Sequence, residues 1–370
     1  MKVSKEIEQL IPYKPGKSIA ATKKEYGLSQ VYKLASNESP VGTSPKVLAA
    51  INEALGNLHR YPDPNSTELK QLISSQSNVT PEQVVVGNGS NELIDLLIRT
   101  FCQTEDKILT SASAFIAYKI CAKAAGVKVI ETLLTEDLKY DISALISELQ
   151  VSHFKIVFVA NPNNPTGTYV PESEILKLLE ATKDLDDTLV VLDEAYNDFV
   201  RVDDFPNSTE LIKRYKQLVI LKTLSKVFAV AGLRLGYIIA DEKVCDYVNR
   251  IRNPFNVNSL AQAAGLAALQ DTEFLDKARE VNWSGLDYFY TELKKIGVTY
   301  WPSQANFVLI DTKMDSGVVF EALLKKGIIT RPVNAYGLPT HLRISVGKES
   351  ENIIAMQELK KVLNELNNNN

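Results

Sequence analysis

The 370-residue chain is poor in the residues that build covalent or metal-held frameworks. It has three cysteines, Cys102, Cys121 and Cys245, with no CxxC pair, and three histidines, His59, His153 and His341, scattered along its length. That excludes a disulfide scaffold and offers no Cys/His cluster at zinc-ligand spacing, so the cysteines read as small buried apolar residues of a reducing compartment. No stretch approaches the roughly 18 consecutive apolar residues that cross a bilayer, and MKVSKEIEQLIPYKPGK at the start has no apolar secretory core. Nor is there a block of five Lys or Arg: 41 basic residues stand against 45 acidic ones, a net charge of -4. Nucleic acid and anionic membranes are poor partners for such a chain, and a small-molecule ligand in a cytoplasmic protein is the expectation.

What the chain does have is a large apolar fraction, 45%, with 23% charged residues, the profile of two or three globular units around a sizeable core. From about Gln83, short β-branched runs alternate with amphipathic ones, and QVVV, DKILTS, VKVIET, KIVFVA, TLVVLDEA, LVILKT and GYIIA are strand candidates. The alternation predicts an α/β unit whose mostly parallel sheet of six or seven strands, seven in the fold expected for the chain, is covered on both faces. In NELIDLLIRTF, Leu93, Leu97 and Phe101 step by four, as do Ile94 and Ile98, which is the apolar stripe of a helix laid on that sheet. After Pro254 the pattern turns to the alanine-rich SLAQAAGLAALQ and then to shorter strands in VTYWPSQANFVLIDT and HLRISVGKES. A smaller α+β domain follows from that change. The expected division is 1–45 as an N-terminal arm joining the small domain, 46–258 as the large domain and 259–370 as the C-terminal small domain.

Four segments carry candidate chemistry. GNGSNE, Gly87 to Glu92, follows a strand and opens a helix, so its glycines allow close backbone approach and the helix end offers free N–H groups to an anion. A purely structural strand-to-helix turn would need the same glycines, and neither a GxGxxG fingerprint nor a GxxxxGK[ST] loop is present. NPNNPTG, Asn161 to Gly167, is a rigid turn that sets amide side chains at the carboxyl edge of the sheet, where α/β proteins bind ligands. LDEAY ends a hydrophobic strand in Asp193, a carboxylate that is costly to bury without a cation in the same cleft. TLSKVFAVAGLRLG places Lys226 in an apolar setting where desolvation favours a neutral, nucleophilic amine, and sets Arg234, a planar cation suited to phosphate, eight residues later.

In this order GNGSNE, NPNNPTG, LDEAY, TLSKVFAVAGLRLG and HLRISVG resemble the fold type I pyridoxal 5′-phosphate (PLP) aminotransferases. IPYKPGK, LASNESP, RYPDP and GIITRPVNAYGLPTHLRISVG extend the resemblance over the whole chain, and the subfamily acting on histidinol phosphate is the most similar. The resemblance implies a fold type I α/β architecture, with a large PLP-binding domain and a small α+β domain. It implies that Lys226 carries the cofactor covalently and Asp193 pairs with its ring nitrogen. Asn164 and Tyr196 would hold the ring's 3′ oxygen, and Phe115 would stack on the ring. The phosphate would rest on Ser90, Asn91, Ser225 and Arg234, with Tyr61 reaching in from the partner subunit of a homodimer. Tyr13, Arg331 and Arg343 would bind the substrate's phosphate or carboxylate. Asn91 stands where an acidic residue is common, and Phe115 where this subfamily often has Tyr.

The implied reaction moves the amino group of histidinol phosphate to 2-oxoglutarate, giving imidazole acetol phosphate and glutamate. An aromatic amino acid aminotransferase of the same architecture and a PLP-dependent decarboxylase of phosphothreonine are the alternatives. A non-catalytic regulator on the same fold is opposed by intact Lys226 and Asp193 and by the lack of an added DNA-binding region.

Overall fold

The computed structural model describes residues 2–3, 5–8, 10 and 16–368; the expected substrate residue Tyr13 lies outside them. The strands in chain order are β1 Tyr32–Lys33, β2 Val84–Gly87, β3 Lys107–Ser111, β4 Lys128–Thr132, β5 Ile156–Ala160, β6 Leu189–Asp193 and β7 Leu218–Thr223. They continue with β8 Gly236–Ile239, β9 Thr299–Trp301, β10 Phe307–Asp311, β11 Ile328–Ile329, β12 Arg331–Pro332 and β13 His341–Ser345.

Seven strands form the large sheet, in the order β2-β8-β7-β6-β5-β3-β4. Only β8 runs antiparallel to its neighbours, so the expected mostly parallel α/β sheet is what the chain builds. Its centre follows from composition: every residue of IVFVA in β5 and LVVLD in β6 is buried, as a strand covered on both faces requires. The edge strand β4, KVIET, is half exposed and carries Lys128 and Glu131, which pair with Glu105 and Lys119; charge on an open edge discourages further strand pairing. The helix Ser90–Phe101 buries Leu93, Ile94, Leu96, Leu97 and Ile98, the apolar stripe anticipated from its four-residue steps. All four segments with candidate chemistry leave or enter the large sheet at one end, because its parallel strands share a carboxyl edge.

The small lobe has an antiparallel sheet in the order β12-β13-β10-β9, and β1 from the N-terminal segment pairs in parallel with β11. Leu34 packs there with Leu286, Phe289 and Leu342, and we propose on that contact that the N-terminal arm is part of the small lobe. The helix Ser259–Leu269 behaves differently from its expected place in the small domain. Its Ala261, Ala264 and Ala268 belong to the large apolar cluster, because small side chains let it lie close against the helix Pro45–Ala54. We propose that the lobes divide along the long helix Thr272–Lys295, whose Ala278 sits in the large cluster and whose Leu286, Phe289 and Leu293 sit in the small one. No helix among the described residues is long and apolar enough to cross a membrane.

Candidate active site

A cavity of about 260 Å³ opens between the lobes at the carboxyl edge of the large sheet. Ser90, Asn91, Phe115, Asn164, Asp193, Tyr196, Ser225, Lys226, Arg234, Arg331 and Arg343 all line it. Residues up to 253 positions apart in sequence thus meet in one place, which sequence order alone only suggests.

At the floor, Asp193 ends β6 level with Ala160 of β5 and Leu221 of β7. Its carboxylate is 5% exposed. It accepts a hydrogen bond from the Tyr118 hydroxyl at 2.6 Å and one from the Ala195 amide at 3.2 Å. Burial raises its pKa from the ordinary 3.8 to about 6, against the opposing pull of the Tyr118 hydrogen bond, the Ala195 amide and the Lys226 charge. The expected cation is therefore not a side chain in ion-pair contact: among the described residues, the carboxylate's direct partners are a phenol and an amide. A cationic group of a ligand fits that place.

Lys226 follows β7 and is half-buried rather than dry, because the cavity mouth reaches it; its Nζ stands 5.6 Å from the centre of the Tyr196 ring. Thr223 and Ser225 beside it are buried, Ser225 accepting at 3.4 Å from Arg234 Nη1. Arg234 adopts a left-handed backbone with φ 58° and also donates to the Ala231 carbonyl at 3.0 Å, which aims its guanidinium toward the turn before Ser90. Gly89 in that turn has φ +83°, and a Cβ there would stand 2.6 Å from Arg234 Nη2. A Cβ at Gly236 on β8 would meet the Ser90 amide nitrogen at 2.7 Å. No side chain caps the helix Ser90–Phe101, so its first N–H groups, Ser225 and Arg234 make a cradle that only glycine backbone leaves open.

The three asparagines of NPNNPTG separate by role. Asn161 closes a two-bond loop with Val170, donating at 3.0 Å and accepting at 2.8 Å, and Asn163 donates to Ser113 and Thr166 at 3.1 and 2.9 Å. Asn164 alone faces the cavity, donating to the Tyr196 hydroxyl at 3.3 Å and accepting from Arg343 Nη1 at 2.5 Å. Arg343 also donates to the Ala35 carbonyl at 2.6 Å and lies 5.2 Å from the Phe307 ring, so its fork is set before any ligand arrives. Arg331 of β12 stands opposite Arg343 of β13 in register, which brings two guanidiniums to one wall.

Three contributors went unassigned in the sequence. Tyr118, one helical turn after Phe115, stacks on Phe158 at 4.5 Å and meets Phe115 edge-on at 5.7 Å, which fixes its hydroxyl on Asp193. Asn37 of LASNESP has φ 55°, a conformation asparagine tolerates, and donates to the Tyr196 hydroxyl at 2.9 Å while bonding Ser345 of the small lobe. Tyr336, buried in NAYG, completes the wall near Arg331. The FxxY spacing and the left-handed preference of Asn were the only available signals. Tyr61 lies outside the cavity of its own chain, 81% exposed and stacked on Phe255 at 4.6 Å. Glu194, next to Asp193, turns away and pairs with Lys222 at 3.1 Å. The cysteines are free, but only Cys245 is buried as expected, Cys102 and Cys121 being half-buried; burial pushes each thiol up to about 12, which disfavours the reactive thiolate.

The fold and the lysine–aspartate cavity define an aminotransferase, and the model of the class I and II aminotransferases matches residues 29–359, so the chain belongs to that family. Among curated relatives, the histidinol-phosphate aminotransferase of Bdellovibrio bacteriovorus is 48% identical over 370 residues, covering 99% of both chains. That of Bacillus subtilis strain 168 is 41% identical over 363 residues, 98% of this chain and 100% of the relative. The crystal structure of histidinol-phosphate aminotransferase from Sinorhizobium meliloti in complex with pyridoxal 5′-phosphate superposes with a TM-score of 0.90 at 25% identity, over 99% of this chain and 98% of that one.

Proposed function

We propose that this protein transfers the amino group of histidinol phosphate to 2-oxoglutarate, with PLP held covalently at Lys226. The observation that carries the reading is the convergence in one cavity of a primary amine, a buried carboxylate with no side-chain cation in ion-pair contact among the described residues, a glycine-lined anion cradle and two arginines. The full-length relatives named above support the same substrate.

The residues present fit PLP. Ser90, Asn91, Ser225 and Arg234 would take its phosphate, Asp193 its ring nitrogen, Asn164 and Tyr196 its 3′ oxygen, and Phe115 one ring face. When bound, PLP supplies an aldehyde that accepts the amino group and a ring that draws electrons from the substrate's Cα. Asp193, as the anion, favours the protonated ring nitrogen and so strengthens that pull. Lys226 would hold the cofactor, and its Nζ, as the free amine, would accept the proton leaving the substrate's Cα and return it on the same face. Arg343 and Arg331 neutralise the phosphomonoester of histidinol phosphate in one half-reaction and a carboxylate of the oxo acid in the other. Asn164 bridges Arg343 and Tyr196, so the anion-binding wall and the cofactor-binding wall are braced by one amide.

A homodimer belongs to this reading. Leu48, Leu55, Leu58, Tyr61 and Phe255 are exposed apolar side chains on the large lobe, which a second copy would cover while bringing Tyr61 to its cofactor phosphate. A cytoplasmic location is supported by the three free thiols. The test compares kcat/KM for histidinol phosphate, phenylalanine and phosphothreonine with 2-oxoglutarate as acceptor. Histidinol phosphate should lead; faster turnover of phenylalanine would replace it with the aromatic reading, and carbon dioxide release from phosphothreonine with the decarboxylase.

A further inference from the structure

The end of β6 carries two successive carboxylates, and the pleat of the strand sends them to opposite sides. Asp193 lines the cavity and Glu194 does not. Glu194 is 2% exposed and its Oε2 lies 3.1 Å from Nζ of Lys222, itself 16% exposed, on the neighbouring strand β7. The Glu194 amide also donates to the Leu221 carbonyl at 2.8 Å, which locks this end of β6 to β7. Burial draws the Lys222 ammonium toward neutrality, but the Glu194 carboxylate, Tyr237 and Asp198 together outweigh it and raise its pKa, so the ammonium keeps its charge beside Glu194.

A buried charge one residue from Asp193 is not neutral toward it. The groups acting on the Asp193 carboxylate are Tyr118 from the helix Ala117–Ala124, Tyr140, the Ala195 amide, Lys226 and Glu194; Glu194 in turn faces Lys222 and Tyr237, which stands across from Lys222 on β8, and Asp198 faces Lys222 and Tyr237. Among the described residues acting on Asp193, Glu194 is the carboxylate, and it favours the protonated acid. We infer that Lys222 is a positioning residue for the reaction: by cancelling and tethering Glu194 behind the sheet, it keeps the Asp193 carboxylate anionic and presented to the cavity. The inference rests on the reading of Asp193 as the ring-nitrogen partner. A mere structural bridge would stabilise β6 against β7 and leave the proton equilibrium of Asp193 alone.

The two roles differ in sign. Removing the cation leaves an uncompensated negative charge beside Asp193, whereas removing the Glu194 charge leaves an uncompensated positive one. Full-length Lys222→Met, Glu194→Gln, the double variant and Lys222→Arg would be compared with the parent. The Asp193 carboxyl would be titrated by 13C NMR in the cofactor-free chain, assigned against Asp193→Asn, and the visible band would be titrated in the PLP-loaded protein.

Lys222→Met should move the Asp193 titration upward by about one pH unit, tenfold in the proton equilibrium. Glu194→Gln should move it downward, the double variant should return it toward the parent, and Lys222→Arg should restore it. Shifts of the same direction in both single variants, or a double variant displaced as far as Lys222→Met, would overturn the inference. If Lys222→Met does not fold, a downward shift in Glu194→Gln that the double variant cancels supports it, and no shift in either overturns it. Should the carboxyl shift as expected while the visible band stays fixed, the role of Lys222 toward Asp193 stands and the pairing of Asp193 with the ring is what fails.

Discussion

Replacing Asp193 by Asn should stabilise the cofactor-free protein while abolishing its activity. Burial holds the carboxyl near pKa 6 in the fold, against 3.8 for an ordinary aspartate. Below 3.8 the group is protonated in both states and contributes nothing. Between 3.8 and about 6 the native state binds more protons than the unfolded chain, so stability falls as pH rises, and above that range the penalty is constant. A separation of about 2 pH units corresponds to about 3 kcal/mol at neutral pH. Asn is isosteric and uncharged, so it removes this penalty. Its carbonyl still accepts the Tyr118 hydroxyl, but the Ala195 amide loses its acceptor, which costs about 1 kcal/mol. The net expectation is a variant about 2 kcal/mol more stable than the parent at pH 8 and about equal or slightly less stable at pH 4. Urea unfolding of the cofactor-stripped proteins at pH 4, 6 and 8 measures it, with transamination assayed in parallel. A difference that does not change with pH, or a variant less stable at pH 8, would refute the electrostatic reasoning.

Lys226→Ala should lose the visible absorbance that borohydride fixes irreversibly in the parent, while keeping its circular dichroism; an unchanged spectrum would remove Lys226 as the point of attachment. Gly89→Ala must adopt φ +83° and push Arg234 Nη2 from 2.6 Å, so PLP should bind about tenfold more weakly in a fluorescence titration, with the fold intact. Arg343→Lys cannot serve both Asn164 and Ala35 and still present a fork, so KM for histidinol phosphate should rise roughly ten- to hundredfold in steady-state kinetics.

Much of the large lobe was readable in one dimension. A strand buried on both faces needs an unbroken apolar run, and IVFVA and LVVLD declare themselves as such; the stripe of Ser90–Phe101 does the same for a helix. The site residues Lys226, Asp193, Asn164 and Ser90 were legible because each stands at a strand end or helix start, where local rules already fix exposure and backbone direction. Tyr118 was not, since nothing in FIAYK distinguishes a core tyrosine from one whose hydroxyl meets a carboxylate 75 positions away. The helix Ser259–Leu269 was assigned to the small domain because it follows a change of pattern, yet its alanines fit the large lobe; which core a small-residue face joins depends on the partner helix.

The order of strands and helices, the glycine turn that opens a cradle, and the placing of Lys226 and Asp193 at one sheet edge were determined by sequence, because backbone sterics and side-chain periodicity act over a few residues. Tertiary structure alone decided the protonation setting of that edge. Whether Asp193 meets a cation, a phenol or a second carboxylate, and whether Glu194 is cancelled by Lys222, depends on groups that only packing brings within a few ångströms, where burial makes each charge count.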